Sequence, residues 1–232
     1  MFTRIASRYD LLNRLMTLGQ DRRWRRETIR ALQLNPGERL LDVGTGTGDL
    51  AYEALQQEER IHVIACDFTA AMIRLGQARP EGQQIQWVIS DAQALPFTPN
   101  AFNAVVSGFL LRNVEDVKHS LQEQARILQG GGRIASLDTT PPPPGPFRAL
   151  ARLYLKWIIP ALGRWIAGDE SAYRYLPDTT QAFISAPELA LIFQTCGYTG
   201  VGFGRRMLGT IAIHWGQKQV DSDDARSSTE TR

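Results

Sequence analysis

An acidic, glycine-rich stretch, DVGTGTGD, occupies residues 42–49 and follows a short apolar run. Its glycines, Gly44, Gly46 and Gly48, stand at alternate positions behind Asp42. Because glycine has no Cβ atom, such a cluster lets the backbone turn tightly and lie directly against a ligand. The stretch therefore predicts a ligand-binding loop, in which Asp42 supplies an acid that can attract a cationic group of the ligand.

Two further acids follow the next apolar runs. Asp67 ends the run IHVIACD, and Asp91 with Ala92 follows the run IQWVIS. An acid about 20 residues after a glycine-rich loop is placed to accept both hydroxyls of a ribose. Asp91 is placed to accept a hydrogen bond from an adenine amino group. The backbone N–H of Ala92 is placed to donate one to a ring nitrogen of the adenine. Each acid alone also suits a turn cap, since Asp is common in turns, but acids at three successive strand ends predict a nucleoside site.

Two classes of nucleoside ligand compete for this site. A dinucleotide-binding loop has the spacing G-x-G-x-x-G and places a pyrophosphate at a helix N-terminus. Here the third glycine comes one residue early, and Asp42 and Asp49 flank the loop, where their charges oppose a diphosphate. S-adenosylmethionine carries a sulfonium and an ammonium group and no phosphate. The pattern therefore favours S-adenosylmethionine, with S-adenosylhomocysteine as product, over a nicotinamide cofactor.

Apolar runs alternate with helix-like segments through the middle of the chain, which is typical of a parallel sheet with helical crossovers. Strands are predicted at RLLDV, IHVIACD, IQWVIS, FNAVVSGF and RIASLD, with a turn at GGG before the last. Two closing strands are predicted at VGFGRRML and TIAIHWGQK. We expect an α/β fold: a Rossmann-like, seven-stranded, mostly parallel sheet with helices on both faces.

A single domain is predicted over residues 1–218, with two helical additions. Residues 1–36 are arginine-rich and predict a helical cap, and residues 141–180, which begin with PPPPGP, predict a helical lid insertion. The polar residues 219–232 lack large apolar side chains and predict a disordered tail.

The bulk composition excludes several classes of protein. A net charge of +2 over 232 residues is too small to suggest a nucleic-acid-binding protein. Cys66 and Cys196 have neither metal-ligand nor disulfide-framework spacing, so we expect no metal. The sequence has no apolar signal segment and no apolar run long enough for a membrane span, and we expect a cytoplasmic protein.

The sequence resembles the ubiquinone/menaquinone biosynthesis C-methyltransferases over about residues 2–218. The blocks that carry the resemblance are ASRYDLLNRLMTLGQDRRWRRETI, LLDVGTGTGDLA, DAQALPF, LLRNVEDV, ILQGGGRI and SAYRYLPDTTQAF. The resemblance implies a class I methyltransferase that transfers a methyl group from S-adenosylmethionine to a ring carbon of a prenylated quinol, such as demethylmenaquinol.

The resemblance also implies which residues bind the cofactor. Thr47, Asp67, Asp91 and Ala92 match family positions that bind it. A family serine after the fourth strand falls on Gly108, with Ser107 as the neighbouring candidate. These residues add Thr47, Ser107 and Gly108 to the site that the spacing predicts.

Catalytic candidates follow from the chemistry of a quinol, whose ring carbon becomes nucleophilic when a neighbouring hydroxyl loses its proton. Arg112 is the leading stabiliser of the resulting phenolate, with Asn113 as its orienting partner. The alternative is that Arg112 pairs with Asp116 on the following helix. Asp138, at the end of the fifth strand, is a candidate base or a turn cap.

The substrate side of the site is less defined by the sequence. Tyr9, Tyr173 and Tyr175 are candidates to stack on the quinol ring. Arg148, Arg152 and Lys156 recur at helical spacing and predict either a lid with solvated charges or a lid that also touches a membrane surface. A homodimer and this peripheral membrane contact remain open at this stage.

Two departures from the family pattern leave an alternative function open. Leu110 stands where the family has glycine, and Asp138 replaces a glutamate. A methyltransferase of the same fold acting on another small molecule, a phenol, polyketide or sterol, fits these departures. Equal turnover of simple water-soluble phenols would favour it. A nicotinamide-dependent oxidoreductase and a non-catalytic quinone carrier are more distant alternatives, which binding of NADH, or S-adenosylhomocysteine binding without turnover, would respectively support.

Overall fold

A computed structural model describes residues 17, 19–145, 148 and 183–220 of the chain. Its first elements are α1 (Asp21–Ala31), β1 (Arg39–Val43), α2 (Asp49–Gln57), β2 (His62–Asp67), α3 (Ala70–Gln77) and β3 (Ile85–Ile89). The chain continues with β4 (Phe102–Gly108), α4 (Val117–Ile127), β5 (Leu128–Thr139), α5 (Ala186–Thr195), β6 (Tyr198–Arg206) and β7 (Ile211–Lys218).

The seven described strands form one sheet in the order β3-β2-β1-β4-β5-β7-β6. Strands β1 to β5 run parallel, and β7 runs antiparallel to both of its neighbours. From β1 the chain winds outward to β3 and then returns to place β4 on the other side of β1. In an open sheet this reversal leaves a crevice at the carboxyl ends of the two central strands, where ligands bind. The predicted sheet is confirmed.

Apolar side chains cover both faces of the sheet, as the alternation of a strand requires. Leu40 packs in the cluster that includes Ile29 and Leu50, whereas its neighbour Leu41 packs in the cluster with Phe193 on the opposite face. Each of these side chains is nearly inaccessible to solvent. Burying a side chain of this size stabilises the fold by roughly 1.5–3 kcal/mol, so both layers of helices are held firmly to the strands.

Helix α1 is anchored beside the β5–β7 part of the sheet. Its Trp24 is 1% exposed and packs with Leu137, Ile211 and Ile213. This helix lies within the predicted N-terminal cap. Residues 1–16 of the cap, Tyr9 included, and residue 18 lie outside the described residues, as do Tyr173, Tyr175 and nearly all of the predicted lid.

One local prediction is wrong: residues 130–132, GGG, belong to β5 and do not form a turn before it. Gly131 has a φ of +76°, and the β4–β5 register shifts between Phe102 and Ala104. A glycine can adopt this conformation inside an irregular strand as readily as in a turn. The local sequence therefore cannot distinguish the two outcomes, which are decided by pairing with β4.

No helix within the described ranges is long and apolar enough to cross a membrane.

Candidate active site

The glycine-rich loop connects β1 to α2 with a backbone that only glycine adopts easily. Gly44 and Gly46 have φ values of +66° and +59°. A Cβ atom on Gly44 would lie 2.6 Å from Cδ1 of Leu110, whereas one on Gly46 would meet no protein atom within 4 Å. The loop is thus packed on one side and open on the other, and the open side faces the crevice at the strand ends.

Two adjoining cavities occupy this crevice. The larger, here called the main cleft, has a volume of about 430 Å³ and the smaller, the small cavity, about 60 Å³. Gly44, Gly46, Gly108 and Phe109 line both. The main cleft brings together most of the predicted cofactor residues: Gly44, Gly46, Asp67, Asp91, Ala92 and Gly108, with Asn113 at its rim. The small cavity brings together Asp42, Thr47, Asp49 and Arg25.

Backbone N–H groups hold Asp67 and Asp91 of the main cleft in place. Asp67 accepts hydrogen bonds from the N–H of Gly46 at 2.8 Å and of Thr69 at 2.7 Å, one on each carboxylate oxygen. Asp91 accepts from the N–H of Gln93 at 2.8 Å. A carboxylate oxygen has two lone pairs, so each acid keeps acceptor capacity for a ligand while its orientation is already set.

Asp42 lies beneath the glycine loop and is buried. Its Oδ2 accepts from the Thr45 hydroxyl at 2.6 Å and from the Ala51 N–H at 3.1 Å. Its Oδ1 is buried without a hydrogen-bond partner among the described residues. Burial, against those two hydrogen bonds and with a smaller contribution from the charges of Asp67 and Asp49, raises the pKa of the Asp42 carboxyl to about 7. A buried acceptor of this kind is costly unless a ligand satisfies it.

Arg112 pairs with neither of the partners that the sequence suggests. Its Nε lies 3.8 Å from Oδ1 of Asp138, and its backbone N–H donates to Oδ2 of the same carboxylate at 3.3 Å. Asp116 instead caps α4 by accepting from the His119 N–H at 2.9 Å. Asn113 donates to the Phe109 carbonyl at 2.7 Å. The alternative of an Arg112–Asp116 pair is therefore wrong.

The Arg112–Asp138 pair sits behind the wall of the main cleft. The side chains are 9% and 1% exposed, and neither lines the main cleft or the small cavity. Burial raises the pKa of the Asp138 carboxyl, while the charge of Arg112 and nearby backbone N–H groups oppose that rise. Nη1 of Arg112 is buried without a partner among the described residues, so the guanidinium keeps a free donor.

Two of the predicted cofactor residues line neither cavity. Ser107 is buried and hydrogen-bonds the Ser136 hydroxyl at 3.2 Å, away from both cavities. Gly48 is the N-cap of α2 and lines neither cavity. Thr47 lines only the small cavity.

Two aromatic residues of the site escaped the sequence analysis. Phe68, directly after Asp67, is 77% exposed at the main cleft. Phe109 has a φ of +55° and donates its N–H to the Leu137 carbonyl at 2.7 Å. A large aromatic residue in this conformation is strained, and such strain is often found at functional sites. Phe68 directly follows an acid at a strand end, and this position in the sequence could have marked it as a site residue. The backbone conformation of Phe109 has no such signal in the sequence.

Comparisons with known proteins agree with this geometry. Residues 1–218 match the model of the ubiE/COQ5 methyltransferase family. The ubiquinone/menaquinone biosynthesis C-methyltransferase UbiE of Desulfotalea psychrophila is 46% identical over 219 residues, which cover 94% of this chain and 89% of the relative. The demethylmenaquinone methyltransferase of Thermus thermophilus is 38% identical, and the match covers 94% of this chain and 100% of the relative.

Solved structures show the same architecture at low sequence identity. A SAM-dependent methyltransferase from Thermotoga maritima superposes with a TM-score of 0.63 at 17% identity, covering 94% of this chain and 98% of that one. One from Aquifex aeolicus gives a TM-score of 0.60 at 17% identity, covering 83% and 88%. At this identity the likeness concerns the fold alone. With a family match over nearly its whole length and relatives above one-third identity, the chain belongs to the ubiE/COQ5 family of S-adenosylmethionine-dependent methyltransferases.

Proposed function

We propose that this protein methylates a ring carbon of a prenylated quinol, demethylmenaquinol or a close relative, in menaquinone or ubiquinone biosynthesis. The observation that carries the proposal is the arrangement of acids around two joined cavities: Asp67 and Asp91 in the main cleft and Asp42 in the small cavity. The curated relatives, which bear the names of quinone-pathway C-methyltransferases, support the choice of substrate.

The residues of the site fit S-adenosylmethionine. The unpartnered Oδ1 of Asp42 would accept from the ammonium group. Asp67 would accept both ribose hydroxyls, and Asp91 with the Ala92 amide would hold the adenine edge. The open side of Gly46 leaves room for the ligand against the backbone, and Gly108 and Thr47 complete the wall. When bound, S-adenosylmethionine supplies an electrophilic methyl group on its sulfonium.

The chain's own task is to hold the quinol against that group and to stabilise the phenolate. Arg112 is the proposed stabiliser, because Nη1 is an unsatisfied buried donor next to the cleft-lining residues Leu110 and Asn113. The Asp138 carboxylate holds Arg112 in two ways: it lies near the guanidinium, and it accepts a hydrogen bond from the Arg112 backbone N–H. This carboxylate is enclosed by its partners, so we assign it the positioning of Arg112 and not direct proton abstraction. The Asn113 side chain donates a hydrogen bond to the Phe109 carbonyl.

Tyr9, Tyr173 and Tyr175 remain the proposed contacts for the quinol ring. Their positions lie outside the described residues. A membrane surface is the proposed source of the substrate, because a long prenyl chain partitions into lipid; homodimer formation is part of the same proposal.

The test is turnover by the purified protein with chemically reduced demethylmenaquinone and S-adenosylmethionine, followed by mass spectrometry. We expect a product heavier by one methyl group on the ring, formed faster with prenylated than with unprenylated quinol. The Asp67→Ala variant is the inactive control. Equal turnover of water-soluble phenols would instead favour the alternative substrate class that Leu110 raises, and no methyl transfer to any reduced quinone would refute the proposal.

A further inference from the structure

One basic side chain among the lining residues of the small cavity has no role so far. It is Arg25, on α1, which lines the cavity together with Asp42, Asp49 and the glycine loop. Helix α1 is held by the buried Trp24, so the position of Arg25 is set by packing and does not depend on a ligand. The side chain of Arg25 is 13% exposed.

Arg25 is already tied to two carboxylates. Nη1 lies 2.8 Å from Oδ2 of Asp21, and Nη2 lies 2.9 Å from Oδ2 of Asp49. A guanidinium has five N–H groups in a planar fork, more than these two contacts require. Its remaining donors are available to a third acceptor that enters the cavity.

Asp49 also forms an ion pair with a second arginine. Its other oxygen, Oδ1, lies 2.7 Å from Nη1 of Arg79. Arg79 follows the C-terminal end of α3, and its guanidinium stacks on the Tyr52 ring with Cζ 3.9 Å from the ring centroid. Two arginines therefore share the charge of Asp49. Asp21, Asp49 and the two arginines together carry no net charge, and Asp42 is a further acid of the cavity. A ligand end that carries both a cationic and an anionic group therefore suits the cavity.

The amino-acid end of S-adenosylmethionine is such a group, since it carries one ammonium and one carboxylate. The small cavity offers one unpartnered carboxylate oxygen, Oδ1 of Asp42, and one guanidinium with spare donors. We propose that Arg25 binds the α-carboxylate of the cofactor, while Asp42 takes the ammonium. The N-terminal helix α1 is then part of the cofactor site and selects ligands with an intact amino-acid end. This inference rests on the proposed use of S-adenosylmethionine at this site.

A purely structural role for Arg25 makes a different prediction. If Arg25 only holds Asp49, and through it the glycine loop, loss of the Arg25 side chain would weaken the binding of every ligand at the loop to the same extent. Arg79 is the matched comparison, because it holds the same Asp49 but does not line the small cavity. A pair of ligands that differ only in the carboxylate separates the two roles.

The experiment is calorimetric titration with S-adenosylhomocysteine and with its decarboxylated analogue, S-adenosyl-3-thiopropylamine. Loss of a charge-assisted hydrogen bond to a carboxylate costs about 1.5–3 kcal/mol, or roughly 10- to 150-fold in affinity. We expect Arg25→Gln to lower the affinity for S-adenosylhomocysteine by that factor and to change the affinity for the analogue by no more than about twofold. Arg25→Lys should recover part of the lost affinity. Arg79→Gln should change the affinities for both ligands in the same proportion.

Equal losses for both ligands in Arg25→Gln, or no loss for either, would overturn the inference. Unchanged binding of the analogue also shows that the variant is folded. Failure of the wild-type protein to bind either ligand would instead refute the proposed function, so the two failures are distinguishable.

Discussion

Replacing Asp42 with Asn tests the claim that this acid is buried for its ligand at the expense of stability. Asn has nearly the same shape as Asp. Its side-chain oxygen can take the place of Oδ2 and keep the hydrogen bonds from Thr45 and Ala51. The substitution thus removes the charge and the titration while preserving the packing.

The magnitude follows from the pKa of the carboxyl, which burial raises from 3.8 to about 7. The folded protein then binds the proton more tightly than the unfolded chain, so stability falls as the pH rises from about 4 to about 7. At 1.36 kcal/mol per pKa unit, the free energy of unfolding should fall by about 2–3 kcal/mol between pH 5 and pH 8 through this group alone. The Asn variant lacks this loss.

The assay is urea unfolding of both proteins at pH 5 and pH 8 without ligand. Because the other titrating groups are common to both proteins, the difference between them isolates Asp42. We expect Asp42→Asn to gain about 2–3 kcal/mol relative to wild type on going from pH 5 to pH 8. Binding should change in the opposite sense: wild-type affinity for S-adenosylhomocysteine should rise through pH 7, and that of the variant should stay low and flat. A stability difference that does not vary with pH would refute the reasoning.

Three further predictions concern the main cleft. Asp67→Ala removes the acceptor for the ribose and the partner of the Gly46 N–H, and should weaken S-adenosylhomocysteine by roughly 100-fold or more in calorimetry; unchanged affinity would contradict the assigned site. Arg112→Lys and Asp138→Asn should each lower kcat by about 100-fold with little change in S-adenosylhomocysteine affinity, and the double variant should be barely worse than either alone; additive losses in a kinetic double-mutant cycle would show that the two do not act as a unit. Leu110→Gly removes the side chain packed against Gly44 and should raise the turnover of bulkier quinols relative to small phenols in competition assays, at a cost of about 1 kcal/mol or more in urea unfolding; an unchanged substrate ratio would mean that Leu110 does not shape the substrate site.

Much of the candidate cofactor site was predictable because its residues lie at strand ends. Asp67 and Asp91 follow apolar runs that the sequence marks as neighbouring parallel strands, and the carboxyl ends of parallel strands meet at one edge. The glycines were readable because a positive φ limits the choice of residue. Ser107 is a candidate only as the neighbour of Gly108, and its side chain lies on Ser136 away from both cavities, because successive side chains of a strand face opposite sides of the sheet.

The sequence by itself determined the alternation of strands and helices, the position of the glycine loop and the row of acids that follows it. These are local properties, set by periodicity and by residues a few positions apart. Only the tertiary structure decided that Arg112 meets Asp138 and not Asp116, and that Arg25 from α1 reaches Asp49 beside the loop. Contacts between residues far apart in the chain depend on how the elements pack and at which register the strands pair, and no local pattern encodes either.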